Sequence, residues 1–240
     1  MGCYDPRVNP TWGINKVTLF YLVRHGEHRL QGRLAAGRTP GIGLSPKGRD
    51  EAAAVAERLA GENIDVIYAS PLDRTRETAE IIGGRLGLPV LLREDVIELD
   101  FGEWTGLTFD QVRADTRFEL WRSCRSIAAI PGGESWRQVQ DRTVNALFEL
   151  RLVHPQGTVV VVSHGDVIRA ALLFVLGMPL DLHGRIEIGT ASISTVRIDD
   201  SGIRVPAVNE RPRPPVSPQP ATMVAANETK GGPQPQRTWR

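Results

Sequence analysis

Residues 17–27 read VTLFYLVRHGE, and this stretch decides the fold. Its first part, 17–23, is a short run of bulky and β-branched side chains, which is typical of a strand buried on both faces of a sheet. The run then ends in Arg24 and His25, which are charged or polar groups that suit the end of a buried strand better than its interior. We therefore predict a central strand whose C-terminal end presents polar side chains to a ligand.

The rest of the chain alternates short apolar runs with stretches of helical period. Ser45-Pro46 supplies an N-cap and a first turn for a helix that ends at Gly61, and Ser70-Pro71 is predicted to start a second helix. The remaining predicted elements are strands at 64–69, 90–92 and 158–162, helices at 135–153 and from 165 onward, and a hairpin over 193–205. This order predicts an α/β fold, a three-layer α/β/α sandwich with a mostly parallel central sheet.

Composition divides the 240 residues into one folded domain and two looser ends. Residues 16–205 carry the apolar periodicity and are predicted to form a single catalytic domain. Eight of the chain's 17 prolines lie in residues 206–240, mixed with Gln, Thr, Asn and Gly. Such a segment buries too little apolar surface to offset its ordering entropy, so we predict a disordered Pro-rich tail. Residues 1–15 are predicted to be a loose lead-in.

The charge balance argues against polyanionic partners. The chain has 29 basic and 28 acidic residues, a formal net charge of +1. This is not the excess of positive charge that is typical of proteins that bind nucleic acid or an anionic membrane. Its two cysteines, Cys3 and Cys124, cannot build a disulfide framework, and no apolar run approaches a membrane span or a signal peptide. We expect a cytoplasmic protein that binds neither nucleic acid nor membranes. The sequence leaves the oligomeric state open, a dimer included.

Three predicted strands run into polar clusters at their C-terminal ends. Arg24-His25 follows the first strand, Arg74 lies shortly after the second, and His164 follows the strand at 158–162. A parallel sheet brings these ends to one edge, where ligands of such folds bind. Guanidinium forks match phosphate oxygens, and helix N-termini add N–H donors. The sequence therefore predicts an anion site at this edge.

The segments that carry these residues resemble the signature segments of the histidine phosphatase superfamily, the phosphoglycerate-mutase-like proteins. They are LVRHGE (22–27), SPLDRTRETA (70–79), ELDFGEWTG (98–106) and VVSHGD (161–166). They occur in the family's order, and the resemblance spans nearly all of 17–198. It implies the α/β fold predicted above and chemistry on a small phosphorylated metabolite, with no metal and no cofactor.

The resemblance also implies a role for each matching residue. His25 attacks phosphorus in line, while Arg24 and Arg74 bind the phosphate oxygens. His164 hydrogen-bonds the transferring group and contributes to phosphate binding. Glu98 is the general acid that protonates the leaving oxygen and then the base that activates water. Independently of the family, neutral imidazole is a good nucleophile near pH 7, and fixed positive charge stabilises a transferring phosphoryl group.

The chain departs from the family pattern at several positions. His28 stands where the family often has Ser or Thr, and the residues alone leave it open between a pocket wall and a solvated loop. Gln31 stands where Asn is usual and is predicted by position to contact phosphate. Thr105 replaces the Glu of a frequent Trp-Glu-Gly. The assignment of Glu98 competes with that of its acidic neighbours Glu94, Asp95, Asp100 and Glu103.

Other polar residues receive weaker assignments. His154 is predicted to lie in a surface loop and His183 in a structural turn. Glu134 and Ser135 are predicted either to touch the substrate or to cap a helix. Substrate specificity is expected in a lid over residues 107–130, with candidate contacts at Trp121, Arg122 and Arg125.

These observations favour a phosphatase that hydrolyses phosphate monoesters of a small metabolite through a phosphohistidine intermediate. A cofactor-dependent phosphoglycerate mutase is the alternative, although the short segment between Glu98 and Glu134 predicts a small lid and a site open to water. A non-catalytic phospho-ligand-binding module is a third hypothesis. A Walker loop and a G-x-S-x-G elbow are absent, and Ile130 stands where a cysteine phosphatase built on Cys124 needs Arg.

Overall fold

The structure is a computed structural model that describes residues 16–212. Within this range the strands are β1 (Thr18–Arg24), β2 (Val66–Ala69), β3 (Val90–Leu92), β4 (Thr158–Ser163), β5 (Ile193–Asp199) and β6 (Gly202–Glu210). The α-helices are α1 (Pro46–Leu59), α2 (Asp73–Leu86), α3 (Phe109–Ala114), α4 (Phe118–Ser123), α5 (Trp136–Val153) and α6 (Gly165–Val175). Short 3₁₀ helices cover Glu94–Val96, Gly102–Trp104 and Leu180–Arg185.

The six strands form one mostly parallel sheet in the order β3-β2-β4-β1-β5-β6. β3, β2, β4 and β1 are parallel neighbours, β5 is antiparallel to β1, and β6 is antiparallel to β5. The helices between the parallel strands are the crossovers that such a sheet requires. This arrangement confirms the predicted α/β fold and brings the C-terminal ends of β1, β2 and β4 to the same edge.

Alternate side chains of the central strands enter two separate apolar cores. In β1, Phe20 and Leu22 pack with α5 and α6 on one face of the sheet, while Tyr21 and Val23 pack with α1 and α2 on the other. The four valines of β4 divide in the same way. Burying one such side chain contributes about 1.5–3 kcal/mol. Because both faces are covered, the strands read as continuous apolar runs, and the three-layer prediction is confirmed.

Two of the predicted helix starts are capped as the sequence indicates. The Ser45 hydroxyl accepts a hydrogen bond from the N–H of Gly48 at 3.0 Å, and Pro46 occupies the first turn of α1. At α5, Ser135 and Gln138 form a reciprocal capping box, so Ser135 caps the helix. These side chains satisfy backbone N–H groups that a helix leaves unpaired in its first turn.

The start of α2 differs from the prediction. The helix begins at Asp73, after Leu72, which provides no side-chain cap, and Ser70 does not belong to it. Ser70 instead continues the sheet, where its N–H donates to the carbonyl of Val162. Its hydroxyl forms a 2.7 Å hydrogen bond with Nε2 of His164. Because Ser70 is buried at the strand end, its hydroxyl contacts His164 and does not cap the helix.

The predicted domain boundary at Val205 is too early, because β6 continues to Glu210. The strand includes Pro206, and proline is tolerated here because β6 is an edge strand with a shifted register against β5. The lead-in at 1–15 and the tail from 213 onward lie outside the described residues. Within the part of the chain that the structure describes, no helix is both long and apolar enough to cross a membrane.

Candidate active site

A cavity of about 180 Å³ lies at the C-terminal edge of the parallel strands. Its wall contains five of the six residues predicted for the site, and the sixth, His164, has its ring centroid 5.3 Å from that of His25. The polar side chains that line the cavity are Arg24, His25, His28, Gln31, Arg74, Glu98, Asp166 and Arg169. The topology thus assembles residues that lie up to 140 positions apart in the chain, from 24 to 164.

His25 is held as a neutral imidazole with one defined free nitrogen. The side chain is only 2 % exposed, and its Nδ1 lies 2.8 Å from the carbonyl oxygen of Gly26. Since a carbonyl only accepts, Nδ1 carries the proton and Nε2 keeps its lone pair. Burial lowers the pKa of His25 well below its usual value, and the charges of Arg74 and Arg24 lower it further. A neutral imidazole of this kind can act as a nucleophile at neutral pH.

His164 faces His25 and is fully buried. Its Nε2 is hydrogen-bonded to the Ser70 hydroxyl, whereas its Nδ1 has no hydrogen-bond partner and lies 3.6 Å from Oε2 of Glu98. Burial, followed by the charge of Arg74, lowers the pKa of His164 well below its usual value. A buried nitrogen without a partner is costly unless a ligand satisfies it.

Arg24 and Arg74 have unpaired N–H groups at the cavity. Arg24 is anchored by one N–H that donates to the carbonyl of Ile188 at 2.6 Å, and its Nε is buried without a partner. Arg74 is 1 % exposed, donates once to the carbonyl of Gly37, and leaves both Nε and Nη1 without partners. The backbone therefore orients both guanidinium groups, while the remaining donors stay available to an anion.

Glu98 is the one acidic residue of its segment that lines the cavity. Burial raises its pKa to about 7, with a further contribution from the charge of Asp166, while Arg74 acts in the opposite direction. Its Oε1 accepts the N–H of Leu99 at 2.9 Å. A carboxyl group that titrates near neutral pH can give and take a proton in the same reaction.

The acidic neighbours of Glu98 are directed elsewhere. Asp95 pairs with Arg93, and Asp100 accepts the N–H of Gly102. Glu103 pairs with the exposed Arg117. The geometry therefore favours Glu98 over these alternatives, a choice that the sequence left open.

Glu134 neither lines the cavity nor caps α5. Its carboxylate accepts hydrogen bonds from Arg38 at 2.8 Å and from Arg142 at 3.0 Å. The same two guanidinium groups also donate to the backbone carbonyl of Glu98, at 2.8 and 3.2 Å. This network holds the segment that carries Glu98. Sequence reasoning missed Arg38 and Arg142, because nothing in the local pattern separates them from the other basic residues.

The cavity wall resolves the open assignment of His28. The side chain is 7 % exposed, its ring centroid lies 5.4 Å from that of His25, and its pKa falls to about 4 through burial and the nearby Arg74 and Arg24. It is a neutral part of the wall and not a solvated loop residue. Gln31 also lines the cavity, with its side-chain oxygen buried and unpartnered.

The candidate lid contacts do not line the cavity. Arg122 pairs with Glu119 on the surface of α4, and Arg125 stacks on Trp121 with its guanidinium carbon 3.3 Å from the ring centroid. The apolar wall is instead formed by side chains that the sequence analysis did not select, Leu34, Phe101 and Phe109, and it is joined by the charged pair Asp166 and Arg169.

The two remaining histidines are structural. His183 lies in a 3₁₀ helix with its ring 5.2 Å from that of Trp136, in agreement with the predicted turn. His154 ends α5, but it is half-buried and hydrogen-bonded to the hydroxyl of Tyr68 at 3.0 Å. It is therefore more enclosed than the predicted surface loop.

One side-chain group at the site has the composition of a metal site. Ligand atoms of His25, Glu98 and His164 lie within 4.8 Å of one another, and two His with one carboxylate is a known zinc-binding set. Arg24 and Arg74 oppose such binding, because the positive field that lowers the pKa of both histidines also repels a divalent cation. The arrangement suits an anion better than a metal ion.

Comparisons with known proteins agree with this geometry. The chain is 34 % identical over 184 residues to phosphoserine phosphatase 1 of Hydrogenobacter thermophilus, which covers 75 % of this chain and 86 % of that protein. It is 32 % identical over 186 residues to a probable phosphoglycerate mutase GpmB of Salmonella choleraesuis, covering 75 % and 85 %. The structure of a mycobacterial glucosyl-3-phosphoglycerate phosphatase is similar with a TM-score of 0.72 at 28 % identity, covering 81 % of this chain and 99 % of that one. Residues 20–211 match the family model of the histidine phosphatase superfamily (branch 1), and the chain belongs to this superfamily.

Proposed function

We propose that the chain is a phosphatase that hydrolyses phosphate monoesters of a small metabolite through a phosphohistidine formed on His25. The observation that carries this proposal is the set of buried, unpartnered guanidinium N–H groups of Arg24 and Arg74 around a neutral imidazole with a free Nε2. An anion is the ligand that satisfies those donors, and a lone pair beside them is positioned for attack on phosphorus.

In the first step, Nε2 of His25 attacks phosphorus while the bond from phosphorus to the alcohol oxygen breaks. Glu98, protonated at a pKa of about 7, delivers its proton to that oxygen so that a neutral alcohol leaves. In the second step, water attacks the phosphohistidine and gives a proton to the Glu98 carboxylate. Inorganic phosphate and free His25 are the products.

The protein supports this reaction mainly through fixed charge. Arg24 and Arg74 bind the equatorial oxygens of the transferring group, where negative charge is spread. We assign the Ser70 hydroxyl as the donor to Nε2 of His164, which puts the proton of His164 on Nδ1. No protein atom satisfies Nδ1, so it can donate to the phosphoryl group. Gln31 adds an amide contact. Because these groups supply the positive charge, we expect activity in EDTA to equal activity without it.

The relatives support a small phosphorylated metabolite as the substrate. One is named a phosphoserine phosphatase and another a glucosyl-3-phosphoglycerate phosphatase, both of which act on phosphate monoesters. We propose a substrate of this kind for the present chain and a cytoplasmic location, since its even charge balance and low cysteine content fit a metabolic enzyme of a reducing compartment.

A mutase function is the second candidate, because one relative is named a probable phosphoglycerate mutase. A mutase must keep water away from its phosphohistidine. Between Glu98 and Glu134 the only α-helices are α3 and α4, each of six residues, and of the two only α3 contributes to the cavity wall, through Phe109. This small lid favours hydrolysis.

Phosphorus NMR of a panel of phosphorylated metabolites, incubated with the purified protein, tests these alternatives. We expect inorganic phosphate to accumulate. With 3-phosphoglycerate, formation of 2-phosphoglycerate faster than inorganic phosphate would indicate a mutase. No turnover of any monoester, p-nitrophenyl phosphate included, would leave the non-catalytic binding module as the better interpretation.

A further inference from the structure

The proposed reaction assigns no substrate contact to two charged side chains of the cavity wall. Asp166 and Arg169 lie in the first turns of α6, one helical turn apart, and both line the cavity. Their side chains are 25 % and 20 % exposed, so they are accessible from the cavity without being freely solvated.

The two side chains are anchored in a way that leaves one polar atom free on each. Nη1 of Arg169 donates to Oδ1 of Asp166 at 2.7 Å, and Nε donates to the carbonyl of Ile186 at 3.0 Å. Within residues 16–212, Nη2 of Arg169 and Oδ2 of Asp166 make no hydrogen bond. A fixed donor and a fixed acceptor, oppositely charged, therefore lie side by side in the wall.

The surroundings make this pair the main polar contact for the organic part of a substrate. Leu34, Phe101 and Phe109 form the apolar wall, and His28 lies beside His25 with its ring centroid 5.4 Å away. The proposed reaction already assigns Gln31 to the phosphate. The other charged and titratable groups around the pair are Glu98, Arg24, Arg125 and His183.

The opposite charges of Asp166 and Arg169 indicate which kind of head group, meaning the organic part of the substrate, can bind beside them. A substrate with only a carboxylate meets the repulsion of Asp166, and one with only an ammonium group meets that of Arg169. A zwitterion offers each residue its opposite charge. A neutral polyol also offers donors and acceptors, but hydrogen bonds between charged groups are roughly twice as strong as neutral ones.

We propose that Asp166 and Arg169 form a head-group subsite for a phosphorylated amino acid. Arg169 binds its carboxylate through Nη2, and Asp166 binds its ammonium group through Oδ2. This inference rests on the proposed function, since it assumes that the phosphate occupies the end of the cavity with Arg24 and Arg74. A purely structural pair, an i,i+3 contact at a helix start, is the competing explanation.

Values of kcat/KM for four alkyl phosphates separate these explanations. O-phosphoserine carries both charged groups, O-phosphoethanolamine only the ammonium, 3-phosphonooxypropanoate only the carboxylate, and ethyl phosphate neither. Arg169→Gln should lower kcat/KM about 10- to 100-fold for the two carboxylates, and Asp166→Asn about tenfold for the two amines. Each loss is taken relative to ethyl phosphate, because Asp166 also raises the pKa of Glu98 and its removal changes all four alkyl phosphates alike.

Ratios between substrates are measured on the same preparation, so a partly unfolded variant does not disturb them. Arg122→Gln is the matched control, because Arg122 forms an i,i+3 ion pair with Glu119 on the surface, and we expect it to change no ratio. Equal losses for all four substrates would show that the pair is structural. Faster turnover of glycerol 1-phosphate than of phosphoserine would favour a polyol head group and overturn the proposal.

Calorimetry with a non-hydrolysable ligand tests the subsite apart from catalysis. We expect 2-amino-4-phosphonobutanoate to bind the wild-type protein at least about tenfold more tightly than propylphosphonate, and Arg169→Gln to abolish the difference. Equal affinities would overturn the subsite. Selective binding without phosphate release from any substrate would support the subsite and contradict the hydrolysis.

Discussion

Two groups of residues at the active-site cavity use arginine in opposite ways. We call Arg24 and Arg74 the phosphate end and the network behind Glu98 the acid end, although Arg74 and Glu98 approach each other to 3.9 Å. At the phosphate end, Arg24 and Arg74 have buried N–H groups that no protein atom satisfies. At the acid end, Arg38 and Arg142 give their N–H groups to Glu134 and to the backbone of Glu98. The first pair keeps N–H donors free to bind an anion, whereas the second pair fixes the segment that carries Glu98.

The difference teaches how one cavity separates two requirements of phosphoryl transfer. Positive charge must be present where the phosphoryl group develops negative charge, and the unpaired guanidinium N–H groups provide that positive charge. A proton donor must instead be held at one place, and an internally satisfied network provides that. Changes at the phosphate end should therefore affect all substrates alike. The loss of rate caused by a change at the acid end should depend on how much the leaving group needs a proton.

The largest effect is expected for His25→Ala, which removes the nucleophile. Loss of a catalytic nucleophile in other enzymes costs up to about 10⁶ in kcat, and we expect a decrease of about 10⁴-fold or more for every substrate. Turnover of labelled substrate, quenched without acid, should place the label on His25 of the wild-type protein. Label on an Asp, Ser or Cys would contradict the proposed intermediate.

Glu98→Gln should separate the two ends most clearly. An alkoxide needs its proton in the transition state, and general acid catalysis is worth roughly 10²–10⁴ in rate, whereas p-nitrophenolate leaves without help. We expect a loss of that size for an alkyl phosphate and a much smaller loss for p-nitrophenyl phosphate. Single-turnover rates measure this, because the later water step cannot mask them. Equal losses for both substrates would make Glu98 a structural residue.

The pH dependence of the same step follows from the raised pKa of Glu98, about 7. The acid works only when protonated, so phosphorylation by an alkyl phosphate should fall about tenfold per pH unit above pH 7. In Glu98→Gln this decline should disappear. Ionisation of the substrate, with a second pKa near 6, is common to both proteins and cancels in the ratio of their rates. A decline that persists in the variant would assign it to another group.

Arg74→Lys tests the phosphate end. A lysine ammonium cannot reproduce the orientation of a guanidinium anchored on the Gly37 carbonyl with two further donors free. We expect kcat/KM to fall roughly 10- to 100-fold, which corresponds to the 1.5–3 kcal/mol of a hydrogen bond to a charged group. The loss should be the same for alkyl and aryl phosphates. A loss confined to alkyl phosphates would place Arg74 with the acid and not with the phosphate.

The smallest effect is expected for Glu134→Gln, which weakens the network behind Glu98. We expect about a tenfold loss for alkyl phosphates, little change for p-nitrophenyl phosphate, and no further loss in the double variant with Glu98→Gln. Glu103→Gln is the matched control, because Glu103 lies in the same segment but pairs with the exposed Arg117. Additive losses in the double variant would show that Glu134 does not act through Glu98.

The sequence predicted that the residues of the phosphate end lie together, for a physical reason. Arg24, His25 and His164 directly follow or end buried apolar strands, and Arg74 lies just after another one, so the parallel sheet alone brings them together. Strand runs are readable from side-chain pattern because both faces of the sheet are buried. The positions of these four residues follow from the sheet topology, so they can be predicted without knowing how the loops fold.

The acid end was predicted less completely, because loops decide it. Glu98 was favoured over four acidic neighbours only through the family resemblance, and its segment is irregular apart from 3₁₀ turns. Arg38 and Arg142 approach it from distant parts of the chain and carry no local signal. Ser70 was predicted to start a helix, since Ser-Pro usually does so, but tertiary burial gave its hydroxyl to His164.

By itself, the sequence determined the α/β class, the sheet edge that carries the candidate site, and that Arg24, His25, Arg74 and His164 meet there. These follow from local apolar patterns and from residues adjacent to strand ends. Only the tertiary structure decided which carboxylate enters the cavity, which arginines remain unpaired, and that Asp166 and Arg169 form part of the wall. Those properties depend on burial and on hydrogen bonds between distant segments, which no local pattern contains.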